Sequence, residues 1–431
     1  MQVQASNFPD SASKNNYSKF NFNIFQSLHS WYLPTSRSLA EASEKNILSM
    51  GDVDLCYVDC ETVEHNEHPS KNDLLTAKMM NVPVDNENFI RTLFIENKNG
   101  STNKNLVITH GFGNGLGFYF KNYKELGNSL DSNIYSIDWL GMGLSSRPDF
   151  KINKKHSHEE KVAFAEEFFV ESLEKWREGL KIEKMILLGH SFGGYMSSLY
   201  ALKYPERIEK LVLESPVGVP ETPESMRDLV DLGKFPEKRP KEKDSLPKSS
   251  QASSVDENID RVIDRDEETL ERLRNVPLQY RLLAKIVYKL WESHLSPQSV
   301  LRFFGRFGSK FTNRYVSKFT SFSEEERNAL SEYMFHVAAQ KGSSEYAIGV
   351  ILKPLAFARF PLKNRISNLA VPTTFLYGET DWMDYDAGKE LSDSLKVPSE
   401  CHIIPNAGHN MHLDNPEGFN NVLAKIVNID L

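Results

Sequence analysis

Met185-Ile186-Leu187-Leu188-Gly189-His190-Ser191-Phe192-Gly193-Gly194-Tyr195-Met196-Ser197-Ser198-Leu199 is the stretch that decides the fold. Four apolar residues run as a short strand into a G-x-S-x-G, and an apolar helix leaves it. A serine on so sharp a strand-to-helix turn holds strained backbone, and glycines on both sides relieve the crowding. Its Oγ then stands at the C-terminal edge of a sheet, beside a helix N-terminus that favours developing negative charge. Ser191 reads as a nucleophile.

Strands and helices alternate outward from there. Phe89–Glu96, Leu106–Thr109 and Ile134–Asp138 read as strands, Phe118–Leu130 and His158–Leu180 as helices, and Lys210–Glu214 as a further strand. The pattern resumes at Thr373–Tyr377, Asp384–Leu395, His402–Ile404 and Pro416–Val427. Such alternation means crossover units: an α/β fold with a mainly parallel central sheet and helices on both faces. Residues 88–216 and 354–431 are the two parts of this core, and 1–87 reads as an N-terminal extension. The interruption, 217–353, is helical and aromatic and has the place of an inserted cap. Within it, 233–268 is dense in Lys, Glu, Asp, Ser and Pro, and is expected to be a disordered insert.

Composition narrows the function. The 431 residues hold 51 Lys or Arg against 59 Asp or Glu, a formal net charge of −8, so nucleic acid is not a partner by electrostatics. Three cysteines (Cys56, Cys60, Cys401) cannot build a disulfide framework, and no CxxC pair offers a zinc site. No apolar run reaches the ~20 residues that cross a bilayer. Met1–Lys19 lacks the apolar stretch of a secretory signal, and the Ser-rich, acid-poor first forty residues resemble a transit leader only weakly. Phe20–Leu33 reads either as an amphipathic segment lying on a membrane or as a helix packed on the main domain.

Free serine is a weak nucleophile, so Ser191 requires a base and an orienting carboxylate in the chain order Ser, Asp or Glu, His. Asp381 follows the strand Thr373–Tyr377, with Glu379 and Asp384 as rivals, and His409 follows the last strand. His409 would take the Ser191 proton and return it to the leaving group, while Asp381 holds the imidazole tautomer. The backbone N–H groups of Phe112 and Phe192 are the expected oxyanion donors. His110 reads as a buried hydrogen-bonding residue. No His/Asp/Glu cluster in the sequence suggests a metal.

His110-Gly111-Phe112-Gly113, Asp138 with Gly141-x-Gly143-x-Ser145, the G-x-S-x-G, Asp381 and His409 together resemble an α/β hydrolase with a cap. Gly113-x-Gly115-x-Gly117-Phe118-Tyr119, Trp31-Tyr32-Leu33-Pro34-Thr35-Ser36 and His409-Asn410-Met411-His412-Leu413-Asp414 resemble a narrower branch. It holds lipid-acting hydrolases related to the lipid-droplet lipase coactivator and the fungal cardiolipin-specific deacylases. The resemblance spans about Trp31 to Leu431. It implies a serine esterase without cofactor, acting on phospholipid, most concretely cardiolipin, on the mitochondrial inner membrane; the alternative places are the cytoplasm and the lipid-droplet surface. The branch also carries a claimed acyltransferase motif, here His409 and Asp414, under which acyl-CoA would be a co-substrate. Asp414, before Pro416-Glu417, equally reads as a helix-starting residue, and His412 as a surface or cap-facing histidine.

Between Pro277 and Phe319 stand eight Lys or Arg and one acid, Glu292. Arg302, Arg306, Lys310, Arg314 and Lys318 recur every four residues, each followed by an aromatic: Phe303, Phe307, Phe311, Tyr315, Phe319. Gly305, Gly308 and Asn313 are expected to break the run. Such a pattern suits an anionic membrane surface, with Arg302, Phe303, Arg306, Phe307, Lys310 and Phe311 as contacts. Three functions follow: phospholipid deacylation, acyl-CoA-dependent acylation of a lysophospholipid, and a non-catalytic adaptor at a lipid surface.

Overall fold

A computed structural model describes residues 32–57, 75–97, 104–236 and 271–428. Most of Phe20–Leu33 and nearly all of the charged insert 233–268 lie outside them. The strands are β1 (Val53–Tyr57), β2 (Leu75–Pro83), β3 (Phe89–Ile95), β4 (Asn105–Thr109), β5 (Asn133–Ile137), β6 (Met185–His190), β7 (Ile208–Glu214), β8 (Thr373–Gly378) and β9 (Ser399–Ile404). The helices are α1 (Arg37–Ser49), α2 (Tyr123–Ser129), α3 (His158–Gly179), α4 (Phe192–Lys203), α5 (Glu224–Leu232), α6 (Leu278–Glu292), α7 (Pro297–Phe304), α8 (Ser309–Val316), α9 (Glu324–Ala339), α10 (Ile348–Ile351), α11 (Tyr385–Ser394), α12 (Met411–Asp414) and α13 (Pro416–Asn428).

The strands form one sheet in the order β1-β2-β3-β5-β4-β6-β7-β8-β9. From β5 to β9 every pairing is parallel, while β3 runs antiparallel to both of its neighbours. β6 is buried along its whole length, as an apolar strand covered on both faces must be. The sheet starts earlier than the sequence reading has it. β1 and β2 fall inside the stretch assigned to an extension, and α1 packs there too, its Glu44 accepting from Arg91 of β3 at 2.5 Å with both side chains buried.

Register aligns the ends that matter. Thr109 pairs with Gly189, His190 with Glu214, Glu214 with Leu376 and Gly378 with Ile404. The C-terminal ends of five parallel strands therefore lie in one row, and the loops after them open on one edge. Phe118–Leu130, expected as one helix, is instead a 3-10 turn (Leu116–Tyr119) followed by the shorter α2.

The cap, α5 to α10, enters between β7 and β8. Its root belongs to the core: Val316, Phe319, Phe322, Leu330 and Tyr333 share one buried cluster with β4 and β6 residues. Helices α3 and α9 begin with reciprocal capping boxes, Ser157 with Glu160 and Ser323 with Glu326. The expected basic-aromatic run is broken at Gly305 (φ 55°) and Gly308 into α7, a 3-10 turn and α8, while Asn313 lies within α8.

Candidate active site

β6 delivers Ser191 at the turn into α4 with φ 53° and ψ −113°, a conformation costly for any residue with a Cβ. The flanking glycines are forced by contact. A Cβ on Gly189 would stand 2.5 Å from the Gly193 carbonyl oxygen, and one on Gly193 would stand 2.7 Å from that of Thr109. The main chain of Ser191 is fixed by its N–H donating to the Glu214 carbonyl at 2.8 Å.

His409, on the loop after β9, places Nε2 3.1 Å from Ser191 Oγ, and its Nδ1 lies 3.1 Å from Asp381 Oδ1. Asp381, on the loop after β8, also accepts from the Met383 N–H at 3.0 Å and from the Ser215 hydroxyl. Burial alone would raise the Asp381 carboxyl. The hydrogen bond and charge of His409, with the Ser215 and Met383 donors, hold it below the ordinary carboxylate value. The rivals are employed elsewhere: Glu379 accepts from Asn406 N–H, and Asp384 caps α11. The structure thus brings together Ser191, Asp381 and His409, which are far apart in the chain.

Two backbone N–H groups flank the nucleophile. That of Phe192 opens α4, where no preceding helical carbonyl reaches it. Phe112 follows Gly111, whose Cα passes so close that an added Cβ would lie 3.1 Å from Ser191 Cβ. This loop is held by Asp138, which accepts from Leu116 N–H at 2.7 Å and Leu144 N–H at 2.6 Å. His110 is buried, as expected. Its Nδ1 donates to the Gly111 carbonyl and its Nε2 accepts from Trp139 N–H, so burial keeps it neutral.

Sequence reasoning missed several groups. Ser215, the residue after β7, buttresses Asp381. His190 donates from Nε2 to the His409 carbonyl at 2.9 Å, and burial pushes its imidazole down to about 3. Trp382 is exposed with its ring 5.0 Å from that of His409, at the mouth of the site.

Three expectations are corrected. His412 is not at the surface: it is fully buried, its Nδ1 2.6 Å from Glu214 Oε1. His190, Glu214 and His412 therefore form a compact trio of metal-ligating types, though the two Glu214 oxygens already serve His412 and the Tyr119 hydroxyl. Asp414 does not start α13, because Asn415 caps it by accepting from Gly418 N–H. Asp414 accepts instead from Gly408 N–H at 2.9 Å, beside His409, so it shapes the loop of the base. Arg302 is not a surface cation: its guanidinium donates to the Ala338 and Gln340 carbonyls and pairs with buried Glu345. Of the other expected membrane contacts, Phe303, Phe307 and Phe311 are exposed, as are Arg306 and Lys310, with Lys310 lying over the Phe307 ring.

Residues 104–245 match the family described as alpha/beta hydrolase fold. Over 399 residues, 91% of this chain and 81% of the other, the sequence is 32% identical to a 1-acylglycerol-3-phosphate O-acyltransferase of Arabidopsis thaliana. Over 362 residues, 82% of this chain and 86% of the other, it is 30% identical to a (lyso)-N-acylphosphatidylethanolamine lipase of Mus musculus. Among solved structures, the carboxylesterase CesB of Bacillus subtilis aligns with 92% of this chain and 99% of its own, with a TM-score of 0.54 at 14% identity, a likeness of fold.

Proposed function

Because this chain belongs to the α/β-hydrolase superfamily, among its lipid-acting members, we propose that it is a serine hydrolase that deacylates phospholipid at a membrane surface. The observation that carries the reading is the hydrogen-bonded relay of Asp381, His409 and Ser191, with both contacts to the imidazole at 3.1 Å. His409 Nε2 removes the Ser191 proton as Oγ attacks the ester carbonyl, and the Phe112 and Phe192 N–H groups meet the oxyanion. The imidazolium, stabilised by ionised Asp381, returns its proton to the departing lysolipid oxygen. Water then attacks the acyl-enzyme by the same route in reverse and releases the fatty acid.

The resemblance of the His409–Asp414 segment and the glycine-rich loop to cardiolipin-specific deacylases supports cardiolipin as the proposed substrate, giving monolysocardiolipin, with the mitochondrial inner membrane as the proposed place. A second reading is favoured by the relatives named 1-acylglycerol-3-phosphate O-acyltransferase. Under it a lysophospholipid, not water, would accept the acyl group, and acyl-CoA would donate it. The position of Asp414 supports hydrolysis, since its bond to Gly408 accounts for the His409/Asp414 spacing without a second chemistry. A non-catalytic adaptor would have no use for an oriented relay.

Incubation of the protein with mixed mitochondrial lipids, with and without acyl-CoA, followed by mass analysis of products, tests both. Fatty acid and monolysocardiolipin formed without acyl-CoA support the deacylase. Acylation of lysophosphatidic acid that requires acyl-CoA, with no fatty acid released in its absence, overturns it.

A further inference from the structure

Helix α6 is amphipathic the wrong way round for a helix packed on a protein. Leu282, Leu283, Ile286, Val287 and Leu290 are between 41% and 56% exposed, Leu278 is 72% exposed, and no residue of the helix is buried. Spaced at three, four and five residues, they make one broad stripe along its outer side. The opposite side is the one that grips the cap. Trp291 Nε1 donates to the Leu352 carbonyl at 2.9 Å, the Tyr288 hydroxyl donates to the Asp231 carbonyl at 2.6 Å, and the Arg281 guanidinium lies over Phe235. A soluble chain of this size rarely leaves so continuous an apolar face in water unless something binds it.

Charge indicates what binds. Lys285 and Lys289, both exposed, lie along one margin of the stripe. The single acid between Pro277 and Phe319, Glu292, is turned to Arg359 at 2.7 Å. Farther along the chain Phe303, Phe304, Phe307 and Phe311 add four exposed rings among Arg306, Lys310 and Arg314. Among the described residues no helix is long and apolar enough to cross a membrane, so such a helix can only lie along the plane of one. A stripe of large apolar side chains margined by lysines is the pattern of a helix sunk to the headgroup boundary of an anionic bilayer.

We propose that α6 is the membrane-docking element of this protein, with its Leu282–Ile286–Leu290 stripe seated among acyl chains and Lys285 and Lys289 at the phosphates. Tyr315, one turn after Phe311 on α8, receives a hydrogen bond from Asn410, the neighbour of His409. Through Tyr315 the root of the cap touches the loop that carries the base. The proposal rests on the phospholipid reading only for its choice of lipid; docking itself needs no turnover.

The test uses the full chain and sedimentation with phosphatidylcholine vesicles made with or without cardiolipin. Leu282→Gln/Ile286→Gln/Leu290→Gln should weaken partitioning about a hundredfold, with little dependence on salt, because the loss is apolar burial. Lys285→Gln/Lys289→Gln should lose about thirtyfold on cardiolipin vesicles at low salt and far less at high salt. Both variants should keep wild-type turnover of a short water-soluble ester and wild-type thermal stability. Ser191→Ala should partition like the wild type, so failure of the chemistry and failure of docking are told apart. Three results would overturn the proposal. One is wild-type partitioning of the triple variant. Another is a wild-type dimer that the triple variant dissolves, which makes a second copy the occupant. The last is a fall in thermal stability of the triple variant, which means the chain covers the stripe itself.

Discussion

His412 Nδ1 and Glu214 Oε1 lie 2.6 Å apart with neither side chain exposed, directly behind the relay of the candidate site. Glu214 ends β7, and its carbonyl accepts from Ser191 N–H while its other carboxylate oxygen accepts from Tyr119 at 2.7 Å. His412 sits three residues past His409, and Tyr119 stacks on its ring with centroids 4.2 Å apart. One buried acid thus links the turn that carries the nucleophile to the loop that carries the base. Burial alone would raise the Glu214 carboxyl. Its contacts with the His412 and His190 imidazoles and the Tyr119 hydroxyl hold it below the ordinary value.

Glu214→Gln should therefore cost about 1–3 kcal/mol of stability, because an amide offers one acceptor oxygen where His412 and Tyr119 each use one. A depressed carboxyl contributes stability above its unfolded value near 4.5 and loses it as pH falls through the lower folded one. The gap in Tm between wild type and variant should be full at pH 6 to 7 and shrink below about pH 4. Adding His412→Gln should recover part of the loss, since two neutral amides can still bond. A Tm gap unchanged down to the acid limit would deny Glu214 its charge.

The acid limb of kcat/KM should follow a single proton. Burial pushes His190 down to about 3 and also lowers His110, so neither gains a proton in the working range. A limb of unit slope shows that one proton decides turnover. A slope of two would show that another imidazole titrates with it.

Ser191→Ala should abolish turnover by about 10⁶ with stability unchanged, because alanine inherits the same positive φ. Ser191→Gly should be more stable than wild type by about 1 kcal/mol, visible as a raised Tm. Equal Tm values for the two variants would mean the turn stores no strain.

Asp414→Ala should slow hydrolysis about tenfold, since the hydrogen bond that shapes the Gly408–His409 turn is lost. Asp414→Asn, which retains an acceptor, should restore most of the rate. Any acyl-CoA-dependent transfer should change by the same factor in both variants; a selective loss of transfer would give Asp414 a chemistry of its own. Asn415→Ala should lower stability by about 1 kcal/mol as a lost cap and leave the rate alone.

Arg302→Gln should lower Tm and slow soluble-ester turnover, because it takes the guanidinium away from Glu345 and from the Ala338 and Gln340 carbonyls. Vesicle partitioning of the folded fraction should keep its salt dependence. If partitioning alone suffers, Arg302 works at the lipid after all.

Chemistry at the strand ends could be read from the chain because each such residue follows its own apolar strand: Ser191 after β6, Asp381 after β8, His409 after β9. The order of those strands is local information. Groups that act across the sheet were hidden. Glu214 and His412 are 198 residues apart, and no periodicity links them until β7 and α12 are packed. Strands β1 and β2 were missed because the clear alternation begins only at Phe89. For α6 the sequence shows a helical, aromatic stretch but not which face turns inward; that depends on Trp291 and Tyr288 finding carbonyls on the cap. Arg302 shares its spacing with four surface cations and differs in having Glu345 and the Ala338 and Gln340 carbonyls across from it.

The cap divides the site in time as well as in space. Ser191 and the Phe112 loop emerge from the ribosome with the first half of the core, but the base and its acid arrive only after α5 to α10 and then β8 and β9. During synthesis the chain exposes α6 and its neighbours while it still lacks His409. On the docking proposed for α6, a nascent or C-terminally truncated chain would meet a bilayer without chemistry, and any turnover must wait for the last strand to join the edge of the sheet.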